Sequence, residues 1–444
     1  MMQLFERQRL IRQKRRAALQ RGVVAVLDIG TSKIVCMIIR FDPSVQEDAA
    51  DGTNVIAQHN RFRVIGVATT RSRGVRYGEI DAMAETERAV RTAVQAAQKM
   101  AGVVADHAFV CFSGGDPRSY GLSGETQLGA GEIENLDIAH ALAACDLPSL
   151  GEGREPLHAM PVNFTVDHRS GFTDPRGQIG NKLSVDLHLL SVRSSMLANL
   201  IACMKRCDLE LAGVIASSYA SAVSALVEDE QELGAACVDL GAGSTAMSVF
   251  YKKHMIYADS SPLAGGLVSN DISKGLQVPL SVAERLKTLH GGVMATGVDG
   301  RDMIDIGADT GDWHHDRREI SRADLIGVMR PRLEEIFEDV RERLFEANFD
   351  YLPGQRIVLT GGLSELPGID GLATRILGQQ IRLGRPMRIQ GLPQAATGPG
   401  FSAAVGLILY SAHPQDECWD FDLPDAGLHG QSIKRAIRWF RENW

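Results

Sequence analysis

No run among the 444 residues approaches the roughly 18 to 20 consecutive apolar positions that a membrane-spanning helix needs. Residues 1–21 are basic and no apolar core follows them, so no secretory signal is expected. The seven cysteines (36, 111, 145, 203, 207, 237, 418) form no CxxC and no Cys/His ligand spacing. That pattern fits buried, inert thiols in a reducing cytosol and excludes a disulfide scaffold. Histidines 140, 158, 168, 188, 314 and 315 likewise lack metal-ligand spacing. The last two are expected in a polar loop over 299–319.

Basic residues are scarce in the body and concentrated at the ends. Seven Arg/Lys stand against Glu6 in residues 1–21, and four stand against Glu442 from residue 429 on, while the chain as a whole carries −8. The body is therefore strongly acidic, which excludes a phosphate-gripping nucleic-acid face on it. Both ends suit an anionic lipid surface. At the C-terminus, Ile433, Ala436, Ile437, Phe440 and Trp444 share one stripe of a helix, with Lys434, Arg435, Arg438 and Arg441 on the opposite arc. A basic, aromatic-bearing amphipathic helix at a chain end is suited to lying in the membrane interface. Residues 411–430, with Pro, Gly and five acids, read as a flexible charged tether before it.

The length requires more than one structural unit, and two matching hairpins suggest how they arise. Residues 23–39 run Val-Val-Ala-Val-Leu-Asp28-Ile-Gly30-Thr31-Ser32-Lys33 into a second apolar strand; residues 235–250 repeat the plan around Asp239, Gly241, Gly243, Ser244 and Thr245. Glycine lets backbone approach a ligand and aim N–H groups at an anion. Hydroxyls add donors, and the carboxylate ending each first strand suits Mg²⁺ held through water. A strand follows each turn, which distinguishes both from the P-loop. One such turn is weak evidence; two in register imply a duplicated α/β fold clasping a nucleotide between its halves.

A third turn, Gly361-Gly362 after the apolar run Arg356–Thr360, presents bare backbone for a flat ring, and Gly265, Gly266, Glu284 and Lys287 fit a further strip of cleft. Two small-residue helices, 216–225 and 400–406, are expected to cross closely and form a hinge. A helix over about 82–101 is expected to bury Val90, Val94, Ala97 and Met100.

This ordered set resembles the actin/hexokinase/heat-shock-chaperone ATPase superfamily and, within it, the FtsA family of bacterial division proteins. The motifs that carry the closer resemblance are Asp28-Ile-Gly-Thr-Ser-Lys33, Ile65-Gly-Val-Ala with Ser72-Arg-Gly74, Cys207-Asp-Leu-Glu-Leu with Ala216-Ser-Ser-Tyr219, Val238-Asp-Leu-Gly, Ile357-Val-Leu-Thr-Gly-Gly362, Ala404-Val-Gly-Leu407 and the basic tail. The resemblance implies an α/β, actin-like (ribonuclease-H-like, duplicated) two-domain ATPase fold. Its parts would be a basic extension 1–21, subdomain 1A over 22–106 and 191–233, inserted subdomain 1C over 107–190, subdomain 2A over 234–266 and 349–410, and subdomain 2B over 267–348. Linker 411–430 and membrane helix 431–444 would follow.

The resemblance implies ATP and Mg²⁺ as cofactors. Gly30, Thr31, Ser32 and Lys33 would hold the β/γ-phosphates opposite Gly241, Gly243, Ser244 and Thr245. Asp28 and Asp239 would lie near Mg²⁺, Gly361 and Gly362 behind the adenine, and Gly266, Glu284 and Lys287 along the ribose and adenine. It further implies a filament on the inner face of the cytoplasmic membrane at the division septum. Arg332 in 2B would take the FtsZ C-terminal peptide, 1C would take later division proteins, and the tail would bind anionic lipid.

Ala216, Ser217 and Ser218 stand where the superfamily usually places a water-orienting Glu or Gln, so ATP binding, with at most weak turnover, is expected. Residue 330 is Arg where relatives often carry an acid. The extension 1–21 reads either as a second lipid-facing helix, with Leu4, Ile11 and Ala18 aligned, or as disordered. A PilM-like scaffold of another membrane machine is the nearest alternative; a sugar-kinase-like phosphotransferase lacks a candidate catalytic carboxylate.

Overall fold

The computed structural model describes residues 5–42, 62–129, 131–306 and 318–421. Two five-stranded sheets of the same topology form its two halves. In the first, Val23–Ile29 is antiparallel to Lys33–Phe41, which is antiparallel to Phe62–Arg71; on its other side Val23–Ile29 runs parallel to His107–Phe112, and that strand parallel to Glu210–Ala216. In the second, Ala235–Leu240, Thr245–Tyr251 and His254–Ser261 repeat the antiparallel trio, with Arg356–Thr360 and Gln380–Leu383 as the parallel pair.

The central strands are continuous apolar runs because helices cover both faces. On the first sheet, Met83–Ala101 packs on Lys33–Phe41 and Phe62–Arg71, and Ser402–Ala412 packs on Val23–Ile29 and His107–Phe112. The first of these helices buries Ala89, Val90, Ala93, Val94 and Ala97 and ends on Gly102 at φ 66°, whose N–H bonds to Gln98 O. Met100, expected on the buried face, is 61 % exposed, because the stripe ends one turn earlier.

Ser217–Ala225 and Ser402–Ala412 cross at backbone contact. Gly406 lies against Ala220, where a Cβ would fall onto the carbonyl oxygen and within 2.9 Å of Cα. Ser224 Oγ donates to Ser402 O at 2.7 Å across the crossing.

The insert is a separate antiparallel sheet in the order Arg118–Gln127, Lys182–Arg193, Arg154–Val166, Arg169–Phe172, covered by Asn135–Ala143. The expected bounds 107–190 shift accordingly: His107–Phe112 belongs to the first five-stranded sheet, and the insert's middle strand continues to Arg193. In the second half, Gly265–Leu276, Leu280–His290 and Arg322–Glu346 build the added helical unit. Ser321 and Asp324 form a capping box at the last of these helices. A short ribbon, Met303–Asp305 with Glu319–Ser321, occupies part of the span read as a loop; His314 and His315 lie outside the described residues.

The reading of the N-terminal extension and that of the first part of the tether are corrected. Residues Glu6–Gln20 are helical, but Ile11, Ala18 and Leu19 face the protein core, so the apolar stripe is not free for lipid. Leu4 lies outside the described residues. Several of the outward bases are paired, Arg7 with Glu155, Lys14 with Glu210 and Arg21 with Asp106. Residues 413–421, expected within a floppy tether, are packed: Cys418, Trp419 and Phe421 join the insert's core beside Phe5. Arg12 pairs with Asp420. The acids that suggested a solvated linker are in part the counter-charges of the N-terminal arginines. Residues 422–444, including the whole amphipathic tail, lie outside the described residues.

One buried histidine makes the seat of the insert pH-sensitive. Ser119 Oγ donates to Ala258 O (2.9 Å) and accepts from Ala258 N (2.8 Å), so its remaining partner, His188 Nε2 at 3.0 Å, must be the donor. Nδ1 then has no partner, and protonating it would place an unpaired charged donor in the interior. Burial, with a smaller contribution from His158, lowers the His188 pKa from 6.5 to about 3. Because the folded value is depressed, the neutral form contributes stability above pH 6.5, lost as pH falls from 6.5 toward 3. Unfolding free energy is expected to drop by up to about 1.4 kcal/mol per pH unit in that window from this group. Urea titrations at pH 7.5 and 5.5 check it: His188→Asn should flatten that part of the slope.

Candidate functional site

The two hairpin turns face each other across a cleft. Each is closed alike, Gly30 N to Lys33 O at 3.1 Å and Gly241 N to Ser244 O at 3.1 Å. Registers match as well: Asp28 pairs with Val35 and Asp239 with Ala246, each one step before the strand end. The turns nearly touch, since a Cβ on Gly243 would overlap Thr31 Oγ1 and sit 2.6 Å from Thr31 Cβ. Thr31 Oγ1 is held there by the N–H of Gly78 at 3.1 Å.

A cavity of about 350 Å³ opens between them. Its walls include Asp28, Gly30, Thr31, Ser32 and Lys33 from one turn, and Asp239, Gly241, Gly243 and Ser244 from the other. Glu284, Lys287, Gly361 and Gly362 line it as well. Two expected residues are not on the wall. Thr245 is fully buried and its hydroxyl donates to Leu263 O at 2.7 Å, so it braces the turn from behind. Gly266 gives its N–H to Ala242 O at 2.8 Å, and a Cβ there would meet that oxygen at 2.6 Å. Its role is to let the helix Gly265–Leu276 approach the second turn.

The remaining roles divide more finely than the sequence suggested. Gly361, at φ 85°, packs on Asp239 and Leu240, whereas Gly362 has open space where a Cβ would point. Lys287 Nζ is occupied by Gly265 O (3.0 Å), Ser269 Oγ (2.8 Å) and Glu284 Oε2 (2.7 Å). It thus positions Glu284, which is half exposed, and has no donor facing a ligand.

Electrostatics at the floor favour a cation. Burial, then Asp239, pushes the Asp28 carboxyl up to about 7, with Lys33 pulling back; burial also raises Asp239, which takes a hydrogen bond from Ser221. Lys33 is itself lowered by burial, and its Nζ lies 3.5 Å from the Phe401 ring centroid. Two half-buried carboxylates beside one partly desolvated lysine form an oxygen donor set that a hard divalent ion fits.

Sequence reasoning missed several wall residues: Gly78, Ser113, Ser217, Glu365, Gly400 and Ser402. Ser113-Gly-Gly after the apolar strand His107–Phe112 carried a signal, the same strand-to-glycine plan as the turns. Glu365 carried none. Arg332, far along Arg322–Glu346, forks onto Asp271 at 2.7 and 3.3 Å and also meets Glu335.

Comparison with known proteins fits this geometry. The sequence model of the family described as "Cell division protein FtsA" matches residues 236–406, and that described as "SHS2 domain inserted in FTSA" matches 114–191. The chain is 38% identical over 428 residues to the cell division protein FtsA of Agrobacterium fabrum, covering 95% of each. It belongs to the FtsA family. The FtsA proteins of Pseudomonas aeruginosa and Escherichia coli K12 match at 31% and 27% over nearly their full lengths. Among solved structures, a PilM–PilN type IV pilus biogenesis complex superposes with TM-score 0.57 at 15% identity, covering 88% of this chain and 99% of that one. MreB 5 of Spiroplasma citri bound to AMPPNP superposes at 0.51 and 14% identity, covering 87% and 95%. The fold of this FtsA-family chain is therefore actin-like. Among the described residues, no helix is long and apolar enough to cross a membrane.

Proposed function

We propose that this chain binds ATP with Mg²⁺ in the cleft, assembles into filaments, and links FtsZ filaments to the inner face of the cytoplasmic membrane at the septum. The observation that carries the nucleotide part is the pair of facing glycine turns over the half-buried Asp28 and Asp239. The backbone N–H groups and hydroxyls of Gly30–Ser32 and Gly241–Ser244 would take the β/γ-phosphates, with Lys33 as the fixed positive charge. Asp28 and Asp239 would hold Mg²⁺ through water, and the ion would screen phosphate charge. Gly362 and Glu284 would receive adenine and ribose. No Glu or Gln stands on Ser217–Ala225 beside the cleft, which supports binding with slow turnover.

The membrane part rests on the sequence of residues 433–444. Burying each large apolar side chain contributes roughly 1.5–3 kcal/mol, and each base near anionic lipid about 1 kcal/mol. Ordering a short helix offsets much of this, so one tail binds reversibly, and a filament would raise avidity by about 10²- to 10⁴-fold. Arg332 would be the charged contact for the FtsZ tail, exchanging Asp271 or Glu335 for a peptide carboxylate, and the insert would receive later division proteins. Vesicle pelleting tests the reading: with Mg–ATP, the full chain should sediment with anionic vesicles and a chain ending at 428 should not. Equal sedimentation of the two, or of monomers and filaments, would sink it.

A further inference from the structure

A buried hydrogen-bond chain joins the segment Glu417–Phe421 to the helix that borders the floor of the cleft. Glu417 is 2 % exposed, yet its carboxylate is saturated: Oε2 accepts the Ala159 N–H at 2.8 Å, and Oε1 meets His158 Nδ1 at 3.1 Å and the Tyr410 hydroxyl at 3.2 Å. His158, 1 % exposed, accepts the Ala216 N–H on Nε2 at 3.0 Å. An amide can only donate, so Nε2 carries no proton and Nδ1–H must donate to Glu417. The tautomer is fixed at both ends.

Ala216 is the N-cap of the helix Ser217–Ala225. Ser217 lines the cleft, Ser221 on the next turn bonds Asp239, and Tyr219 between them lies 5.7 Å from His158 and 5.8 Å from Tyr410, ring to ring. One face of this short helix therefore touches the nucleotide floor and the other the Glu417 cluster. Glu417 caps the single helical turn Cys418–Asp420, which is seated by Trp419, whose ring packs edge-on against Phe5 at 5.6 Å. So small an element can be seated or released without unfolding the body.

We infer that His158 is a positioning residue that couples nucleotide in the cleft to the seating of Glu417–Phe421, so that each state favours the other. The coupling rests on the ATP reading above. Binding free energies are reciprocal: whatever factor the seated segment contributes to nucleotide affinity, nucleotide returns to the segment. Releasing Glu417 would leave Nδ1–H of His158 without an acceptor in the interior and loosen its grip on Ala216, and with it Ser217.

The full chain tests this by hydrogen exchange with and without Mg–ATP, and by Mg–ATP affinity of wild type, Glu417→Gln and Trp419→Ala. The Trp419 variant unseats the segment without touching His158. Mg–ATP should slow exchange of the Ala159 and Ala216 amides at least about fivefold, and both variants should bind Mg–ATP about 5- to 20-fold more weakly. The coupling is overturned if ATP leaves both wild-type amides unchanged. It also falls if Trp419→Ala frees 417–421 while affinity stays within about twofold. The wild-type exchange decides the matter even where a variant fails to fold. Absence of Mg–ATP binding by wild type would instead remove the nucleotide reading, and the coupling with it.

Discussion

Gly406→Ala is expected to cost about 3 kcal/mol of stability, at the upper end of what overpacking a core incurs. In an ordinary helix the same change gains up to about 1 kcal/mol, since alanine is the better helix former. Gly406 does not have a left-handed backbone, so conformation is not what reserves the site for glycine. The added methyl would meet the carbonyl oxygen, carbonyl carbon and Cα of Ala220, all main-chain atoms. No rotamer change or trimming at position 220 relieves that contact; the two helices Ser217–Ala225 and Ser402–Ala412 must move apart. They are buried almost throughout and tie both sheets together, so separation would open the core at several points. Gly371, in the helix Ile369–Leu377, supplies the contrast, because nothing lies within 4 Å of where its Cβ would stand. Gly371→Ala should gain about 0.5–1 kcal/mol. Thermal melting of both variants checks the pair, and a neutral Gly406→Ala would show that the helices do not pack as described.

Gly406 also illustrates what was legible. Small residues at helical spacing in 216–225 and 400–406 announced close helix crossing, and the structure has it. The duplicated hairpins were equally readable, since a strand that must be buried on both faces and end on a carboxylate and a glycine turn leaves little freedom in residue choice. What escaped was the use made of amphipathic stripes. The periodicity of residues 4–18 states that one face is apolar but not what covers it, and here Ile11 and Ala18 meet the protein instead of lipid. Composition misled at 413–421 for a related reason. Acids read as solvent-facing charge unless their counter-ions are known, and Arg12 is hundreds of residues distant in sequence. Within the cleft, Thr245 sat in the expected motif yet faces backward, because the second strand of the hairpin alternates sides from Ser244 onward.

The second large effect is expected at the pinch between the turns. Gly243→Val should weaken Mg–ATP binding about 100-fold, equivalent to about 2.7 kcal/mol, while leaving the fold intact. Position 243 does not have a positive φ, so valine is tolerable to its own backbone. The obstruction is across the cleft, where the new Cβ would overlap the Thr31 hydroxyl that Gly78 N–H holds in place. The halves would have to part by the thickness of a methyl group, and phosphate oxygens gripped from both sides would lose one set of donors. Gly30, in the first turn, differs: its Cβ would approach only Lys33 O, at 3.0 Å, within its own hairpin. Gly30→Ala should therefore strain one turn without separating the halves, with an affinity loss nearer tenfold, about 1.4 kcal/mol. Titration with a fluorescent ATP analogue orders the two variants. Removing the obstacle from the opposite side is the sharper check, because Gly243→Val combined with Thr31→Ala deletes the Thr31 hydroxyl together with its methyl and should recover part of the loss. If the double variant binds no better than Gly243→Val alone, the turns do not meet at this pair when nucleotide is held, and closure must be set elsewhere along the cleft.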